Sequence, residues 1–264
     1  MPRAKRRLGQ HFLTDPSILA RIAEALEAGP DETVLEIGPG PGGLTAALVP
    51  RAARVIAIEK DRDLIAPLRA RFPSVELVEA DALKVDWGSI AGGPYLVAGN
   101  IPYNITSPLL DKALTPPIPR RIVFLVQKEV ADRVTARAGT SAYGALSVGV
   151  QAVAQAERLF TVSAGAFKPR PKVDSAVLRL TPLDQPLIPM EQQDSFRAMV
   201  VGLFGFRRKQ LLRGLRELTG WEPDRAGERL ERAAADPTAR PEMLSPEEFV
   251  KLHQALVDGG WPRR

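Results

Sequence analysis

Asn100-Ile101-Pro102-Tyr103 follows the apolar run Tyr95-Leu96-Val97-Ala98, a placement that projects an amide, a rigid carbonyl and an aromatic ring from the end of a strand. The exocyclic amino group of a base is a poor nucleophile because its lone pair is delocalised into the ring. A site that alkylates it must hold its protons on acceptors and turn the lone pair toward an electrophile. The side-chain oxygen of Asn100 and the carbonyl of Ile101 are such acceptors, Pro102 fixes the local backbone, and Tyr103 offers a face on which a base can stack. The quartet points to methylation of a nucleobase amino group. Four residues of this kind also suit an ordinary loop with a packed tyrosine, so the rest of the chain has to decide.

Glu36-Ile37-Gly38-Pro39-Gly40-Pro41-Gly42-Gly43 is the second constellation. Glycines at 38, 40 and 43 satisfy G-x-G-x-x-G, which suits a dinucleotide with Glu59 as its ribose ligand. Two features shift the reading to S-adenosyl-L-methionine. Glu36 stands two positions before the first glycine, where a cationic amino-acid group is welcome and a pyrophosphate is not. Asp81 adds a third acid at the same sheet edge, and a positively charged sulfonium cofactor with a donating adenine suits such a row better than phosphates do. Taken singly, Gly38 and Gly40 also suit a tight turn, Glu59 a pair with Lys60 or Arg62, and Asp81 a cap.

Strands alternating with helices must position these groups. Strand patterns fall at 33–37, 54–59, 75–79, 95–99, 120–126, 158–162 and 175–181, and helical patterns at 14–26, 43–49, 61–72, 107–114, 128–137 and 143–154. This is the signature of an α/β fold with a seven-stranded, mostly parallel sheet. Pro182, Pro186 and Pro189 then form a stiff linker, which sets a boundary between a first domain at 1–182 and a second at 183–264. Helical patterns at 191–204, 207–218, 223–234 and 246–257, with no strand among them, make the second domain small and all-helical.

The 264 residues hold no cysteine and only two histidines, His11 and His253. That excludes disulfides, thiolate metal sites and pyrimidine methylation through a cysteine adduct, and it speaks against a histidine-rich metal centre. Arg3, Lys5, Arg6 and Arg7 are followed by no long apolar run, so the expectation is a soluble cytoplasmic protein with no membrane anchor. The net charge of +5 is modest, but its distribution is not even. Besides the N-terminus, Lys168, Arg170 and Lys172 alternate along one side of an extended segment, and Arg207 and Arg208 precede Lys209, Arg213 and Arg216, spaced to share a helical face. Basic strips of this kind suit a nucleic-acid backbone.

In order along the chain, Gly9-Gln10-His11-Phe12-Leu13, Glu36-Ile37-Gly38-Pro39-Gly40, Glu59, Asp81-Ala82, Asn100-Ile101-Pro102-Tyr103 and Phe167-Lys168-Pro169-Arg170-Pro171-Lys172-Val173-Asp174-Ser175 resemble the motifs of the rRNA adenine dimethyltransferases. The resemblance spans nearly the whole chain. Gly9-Gln10-His11-Phe12-Leu13 and Phe206-Arg207-Arg208-Lys209 make it most like the small-subunit branch; the antibiotic-resistance branch acting on large-subunit rRNA usually has asparagine where His11 stands. The resemblance implies a Rossmann-like S-adenosyl-L-methionine domain, and N6-dimethylation of two adjacent adenosines in the 3′-terminal hairpin loop of 16S rRNA during late 30S assembly. It places Gln10, His11, Leu13, Glu36, Gly38, Gly40, Glu59, Asp81, Ala82 and Asn100 around the cofactor. Tyr103 and Phe167 then stack on the target base, and no metal takes part. Nothing in the sequence demands more than a monomer. A large-subunit methyltransferase, a non-catalytic nucleic-acid-binding relative and a nicotinamide oxidoreductase are the alternatives.

Overall fold

The computed structural model describes Lys5 and residues 8–261; Arg3, Arg6 and Arg7 of the N-terminal basic strip lie outside the described residues. In chain order the elements are β1 (Phe12–Leu13), α1 (Pro16–Ala25), β2 (Thr33–Ile37), α2 (Gly43–Leu48), β3 (Arg54–Glu59), α3 (Arg62–Arg71), β4 (Glu76–Glu79), α4 (Trp87–Ala91), β5 (Tyr95–Asn100) and α5 (Thr106–Ala113). They continue with β6 (Ile122–Gln127), α6 (Lys128–Val134), α7 (Ala145–Gln151), β7 (Ala154–Val162), β8 (Phe167–Lys168) and β9 (Ser175–Pro182), then α8 (Gln193–Gly205), α9 (Leu211–Thr219), α10 (Pro223–Arg232) and α11 (Pro246–Asp258).

Seven strands form one sheet in the order β4-β3-β2-β5-β6-β9-β7. The first five are parallel, and β9 enters antiparallel to β6. Successive strand residues face opposite sides of a sheet, and Val34 and Leu35 of β2 are both fully buried, so both faces of the central strand are covered. That is why β5 and the inner residues of β3, Val55 to Ile58, read as continuous apolar runs rather than alternating ones.

From β2 the chain builds outward through β3 to β4, then crosses back to β5 on the other side of β2. The switch in direction opens a cleft at the carboxyl ends of β2 and β5, the place where parallel sheets take ligands. Gly99 makes the close approach there possible. It pairs with Ile37, and a Cβ on it would lie 2.6 Å from the Ile37 carbonyl oxygen. Both principal motifs of the sequence therefore leave the sheet side by side.

Local caps set the flanking helices. Asp15 receives the amides of Ser17 and Ile18, with Pro16 at the first position of α1, and Asp61 receives the amide of Asp63 ahead of α3, each satisfying donors that a helix start leaves bare.

The chain divides into two compact units, residues 1–131 with 156–182, and residues 132–155 with 183–264. The segment 132–155, read from sequence as part of the first domain, thus belongs with the helices that follow Leu183. Within the second unit the Tyr143 hydroxyl donates to the Leu244 carbonyl at 2.7 Å, its ring meets Phe204 edge-on, and the amides of Leu183 and Leu187 donate to the carbonyls of Val153 and Ala152. Local features also differ from the sequence reading. β7 starts at Ala154, four residues before the expected strand. β1 and β8 pair into a two-stranded antiparallel ribbon that no pattern announced. α9 begins only at Leu211, because Phe206 caps α8 and the amides of Leu211 and Leu212 go to the carbonyls of Ala239 and Pro237. Lys209 consequently sits in the preceding turn, off the helical face that Arg213 and Arg216 occupy.

Candidate active site

The cleft at the ends of β2 and β5 is a cavity whose lining includes Leu13, Glu36, Gly38, Glu59, Asn100 and Tyr103, together with Gln10, His11, Gly40, Ile101 and Pro102. The quartet turns here because the strand hydrogen-bond pattern runs one residue past β5. The Ile101 amide donates to the Leu125 carbonyl of β6 at 3.0 Å, and a 3-10 turn at Tyr103–Ile105 then leads the chain into α5.

The Asn100 amide has a defined orientation. Its Nδ2 donates to the backbone carbonyl of His11 at 2.8 Å. A carbonyl only accepts, so the nitrogen faces His11 and Oδ1 is left as the acceptor. Tyr103 is fixed at two points. Its hydroxyl lies 2.8 Å from Ser175 Oγ, and its ring stacks on the His11 imidazole with centroids 5.6 Å apart and planes 24° apart. His11 Nδ1 in turn lies 2.8 Å from the Pro169 carbonyl oxygen, which requires the proton on Nδ1.

The acids are deep. Glu36 is 1% exposed and receives the Thr45 hydroxyl at 2.6 Å. Burial pushes its pKa up to about 8, with the nearby Glu59 adding to the rise against the Thr45 hydrogen bond. Glu59, also raised by burial, receives the amides of Gly40 at 3.1 Å and Asp61 at 2.7 Å. Gly38 and Gly40 have φ of +66° and +57°, values that L side chains rarely adopt. At Gly40 a Cβ would press within 3.1 Å of the Phe12 ring, whereas at Gly38 it would meet nothing within 4 Å. An open glycine cradle beside two buried carboxyl groups fits a cofactor that bears positive charge.

Gln10 reaches the site through an acid that sequence reading passed over. Its Nε2 donates to Asp61 Oδ2 at 3.1 Å, while Lys5 pairs with Asp61 Oδ1. The buried Asp61 carboxylate thereby clasps the N-terminal segment to the loop that carries Glu59. The available signal was its position two residues after Glu59, ahead of a helix.

Three expectations need correction or adjustment. Phe167, expected to offer a ring face to the base, is only 2% exposed and belongs to the same apolar core as Leu13 and Val162. Its pairing with Leu13 across the β1–β8 ribbon puts it on the inward side, and it does not line the cavity. Asp81 and Ala82 also lie outside that lining. Asp81 pairs with Lys60 at 2.8 Å and caps the Leu83 amide at 3.1 Å. Lys168, Arg170 and Lys172 are all exposed, but only Lys168 is in a strand, and the two others follow in the irregular segment before β9. In the helical unit Arg207, Arg208, Arg213 and Arg216 are exposed, whereas Lys209 pairs with Glu217 at 2.6 Å and Arg213 approaches the same carboxylate at 3.8 Å. Among the described residues no group of three or more His, Asp or Glu is placed to hold a metal ion, and no helix is long and apolar enough to cross a membrane.

Comparison with known proteins gives one answer. Residues 1–250 match the family model described as "Ribosomal RNA adenine dimethylase". A "Ribosomal RNA small subunit methyltransferase A" from Acidithiobacillus ferrooxidans is 42% identical over 98% of this chain and 97% of its own length. One of the same description from Caulobacter vibrioides is 43% identical over 97% and 98%. Among solved structures, a dimethyladenosine transferase from Plasmodium falciparum superposes with a TM-score of 0.83 at 26% identity, covering 96% of this chain and all of that one. The 23S rRNA methyltransferase ErmE superposes at 0.74 with 32% identity, covering 93% and 99%.

Proposed function

The chain belongs to the ribosomal RNA adenine dimethylase family, and from that premise we propose that it dimethylates the N6 amino groups of two adjacent adenosines in the 3′-terminal hairpin loop of 16S rRNA. It does so within the small ribosomal subunit late in its assembly, as a cytoplasmic monomer. The observation that carries the reading is the orientation of Asn100. With its nitrogen committed to His11, its oxygen is set to accept from an amino group.

Glu36, Gly38, Gly40, Glu59, Leu13 and Asn100 would hold S-adenosyl-L-methionine, with Gln10 and His11 in the same cavity lining. When bound, this cofactor supplies an electrophilic methyl group on a sulfonium. Everything else falls to the chain's own groups. The target adenine leaves its stack and lies on the face of Tyr103 that His11 does not cover. Asn100 Oδ1 and the Ile101 carbonyl accept its two amino hydrogens, which turns the nitrogen lone pair toward the cavity. Orientation of this kind supplies much of the rate. The proton leaves once the nitrogen is alkylated, because the substituted amino group is far more acidic. In the second round only one hydrogen remains, so a single acceptor suffices to hold the nitrogen. Lys168, Arg170 and Lys172 near the site, and Arg207, Arg208, Lys209, Arg213 and Arg216 in the helical unit, meet phosphates.

The test is transfer of labelled methyl from S-adenosyl-L-methionine to unmethylated 30S and, separately, 50S subunits, with the nucleosides identified by mass spectrometry. Dimethyladenosine in 16S rRNA is the expected product. Label in 23S rRNA would move the chain to the branch of ErmE, and label in neither would overturn a catalytic role.

A further inference from the structure

We infer that Ser175 is a positioning residue for methyl transfer, acting through Tyr103. The inference rests on the reading that Tyr103 carries the target base.

Ser175 is the first residue of β9, pairs with Gln127 of β6 and is fully buried. A buried hydroxyl needs a partner, and its Oγ meets the Tyr103 hydroxyl at 2.8 Å. Tyr103 itself lies in a short 3-10 turn. Without that bond the ring would be held only through its Cβ and by stacking on His11, which lets it slide, and a platform whose plane drifts cannot hold a base in line with an electrophile. A bond at the far end of the ring removes that freedom. Burial raises the Tyr103 pKa, so the phenol stays protonated and remains a hydrogen-bonding partner at neutral pH.

Ser175 is suited to the task because its own backbone is held. Asp174, just before it, accepts the Lys128 amide on its carbonyl at 3.0 Å and the Ala164 amide on its carboxylate at 2.9 Å. These bonds close the loop 164–174, which carries Lys168, Arg170 and Lys172, at its base. The point that orients the ring is therefore also the point where the basic loop joins the sheet.

The experiment compares Ser175→Ala, Tyr103→Phe, the double variant and Tyr103→Ala. The substrate is whichever unmethylated ribosomal subunit accepts label, with calorimetric cofactor binding and thermal midpoints measured in parallel. Ser175→Ala and Tyr103→Phe each remove the same hydrogen bond, and each should lower kcat roughly three- to tenfold with cofactor affinity unchanged. The double variant should be no slower than the slower single one, because one interaction is lost only once. Additive losses, or parallel losses in cofactor affinity, would overturn the inference. Wild-type rates in both single variants alongside an impaired Tyr103→Ala would overturn it while leaving base stacking intact. A fully active Tyr103→Ala would instead bring down the stacking role on which it rests. If Ser175→Ala lowers the thermal midpoint, Tyr103→Phe, which keeps the ring, decides.

Discussion

Asn100 and His11, 89 positions apart, are joined by a hydrogen bond from the Asn100 side-chain nitrogen to the His11 carbonyl oxygen. A residue of the N-terminal segment thus determines which end of the Asn100 amide faces the reacting group. Aspartate has no hydrogen to give that carbonyl, and alanine provides neither donor nor acceptor. Asn100→Asp and Asn100→Ala should each lower kcat by about 100-fold or more, the scale seen when one oriented catalytic hydrogen bond is lost. Calorimetric affinity for S-adenosyl-L-methionine should change far less. Equal losses in both quantities would make Asn100 chiefly a cofactor ligand.

Glu36 sets a pH dependence. Its pKa of about 8 in the folded chain lies above the ordinary 4.5, so between these values the folded state binds more protons than the unfolded one. Its contribution to the stability of the free protein is therefore full below pH 4.5 and is lost as pH rises through 8. A cationic cofactor favours the ionised form, so binding should release protons near neutrality and tighten as pH approaches 8. Calorimetry in buffers of different ionisation enthalpy reads this directly. Glu36→Gln should bind more weakly and show no such proton release; an unaltered release would assign the proton to another group.

The clasp at Asp61 should matter to the cofactor although Asp61 does not line the cavity. Its amide holds one oxygen of Glu59 while its carboxylate holds Lys5 and Gln10. Asp61→Asn keeps the size and loses the charge. Tryptic cleavage after Lys5 should accelerate, and cofactor affinity should fall roughly two- to fivefold, the range of a partly exposed ion pair. Unchanged cleavage and affinity would show that the segment is held by its other ties, the Lys5–Asp63 ion pair and the β1–β8 ribbon among them.

Phe167 should behave as a core residue. Phe167→Ala should destabilise the protein by about 3–5 kcal/mol, read as a fall in the denaturation midpoint, whereas Phe167→Leu should retain most of the stability and near-normal methylation. A stable Phe167→Leu that binds cofactor normally yet does not methylate would mean that the ring leaves the core to meet the base.

The order of strands and helices was legible because it rests on local pattern. Runs such as 55–58 and 95–99 are apolar on both strand faces, and the helical patterns at 14–26 and 246–257 return as α1 and α11. The site was legible in part for the same reason, since Glu36, Gly38, Glu59 and Asn100 each stand at the end of such a run. Pairings distant in sequence were not. The β1–β8 ribbon has two residues on each side, too few for any periodicity, and only that ribbon reveals that Phe167 points inward. The stacking of His11 on Tyr103, the bond from Ser175 and the clasp at Asp61 likewise depend on which segments meet. Glu59 shows the limit even within a correct motif, because both of its oxygens also hold backbone amides of the loop around it.

The second unit is assembled from two stretches of chain separated by the last strands of the sheet, and this gives its formation a timetable. On the ribosome, residues 132–155 emerge well before 183–264. At about 5–20 residues per second, the final 82 residues take roughly 4–16 s to follow. Until then Tyr143 has neither the Leu244 carbonyl nor the Phe204 ring to meet. The nascent chain therefore passes through an interval in which the sheet's strands are complete and an apolar segment interrupting them still awaits its partners, the stage at which a trailing chaperone has most to protect.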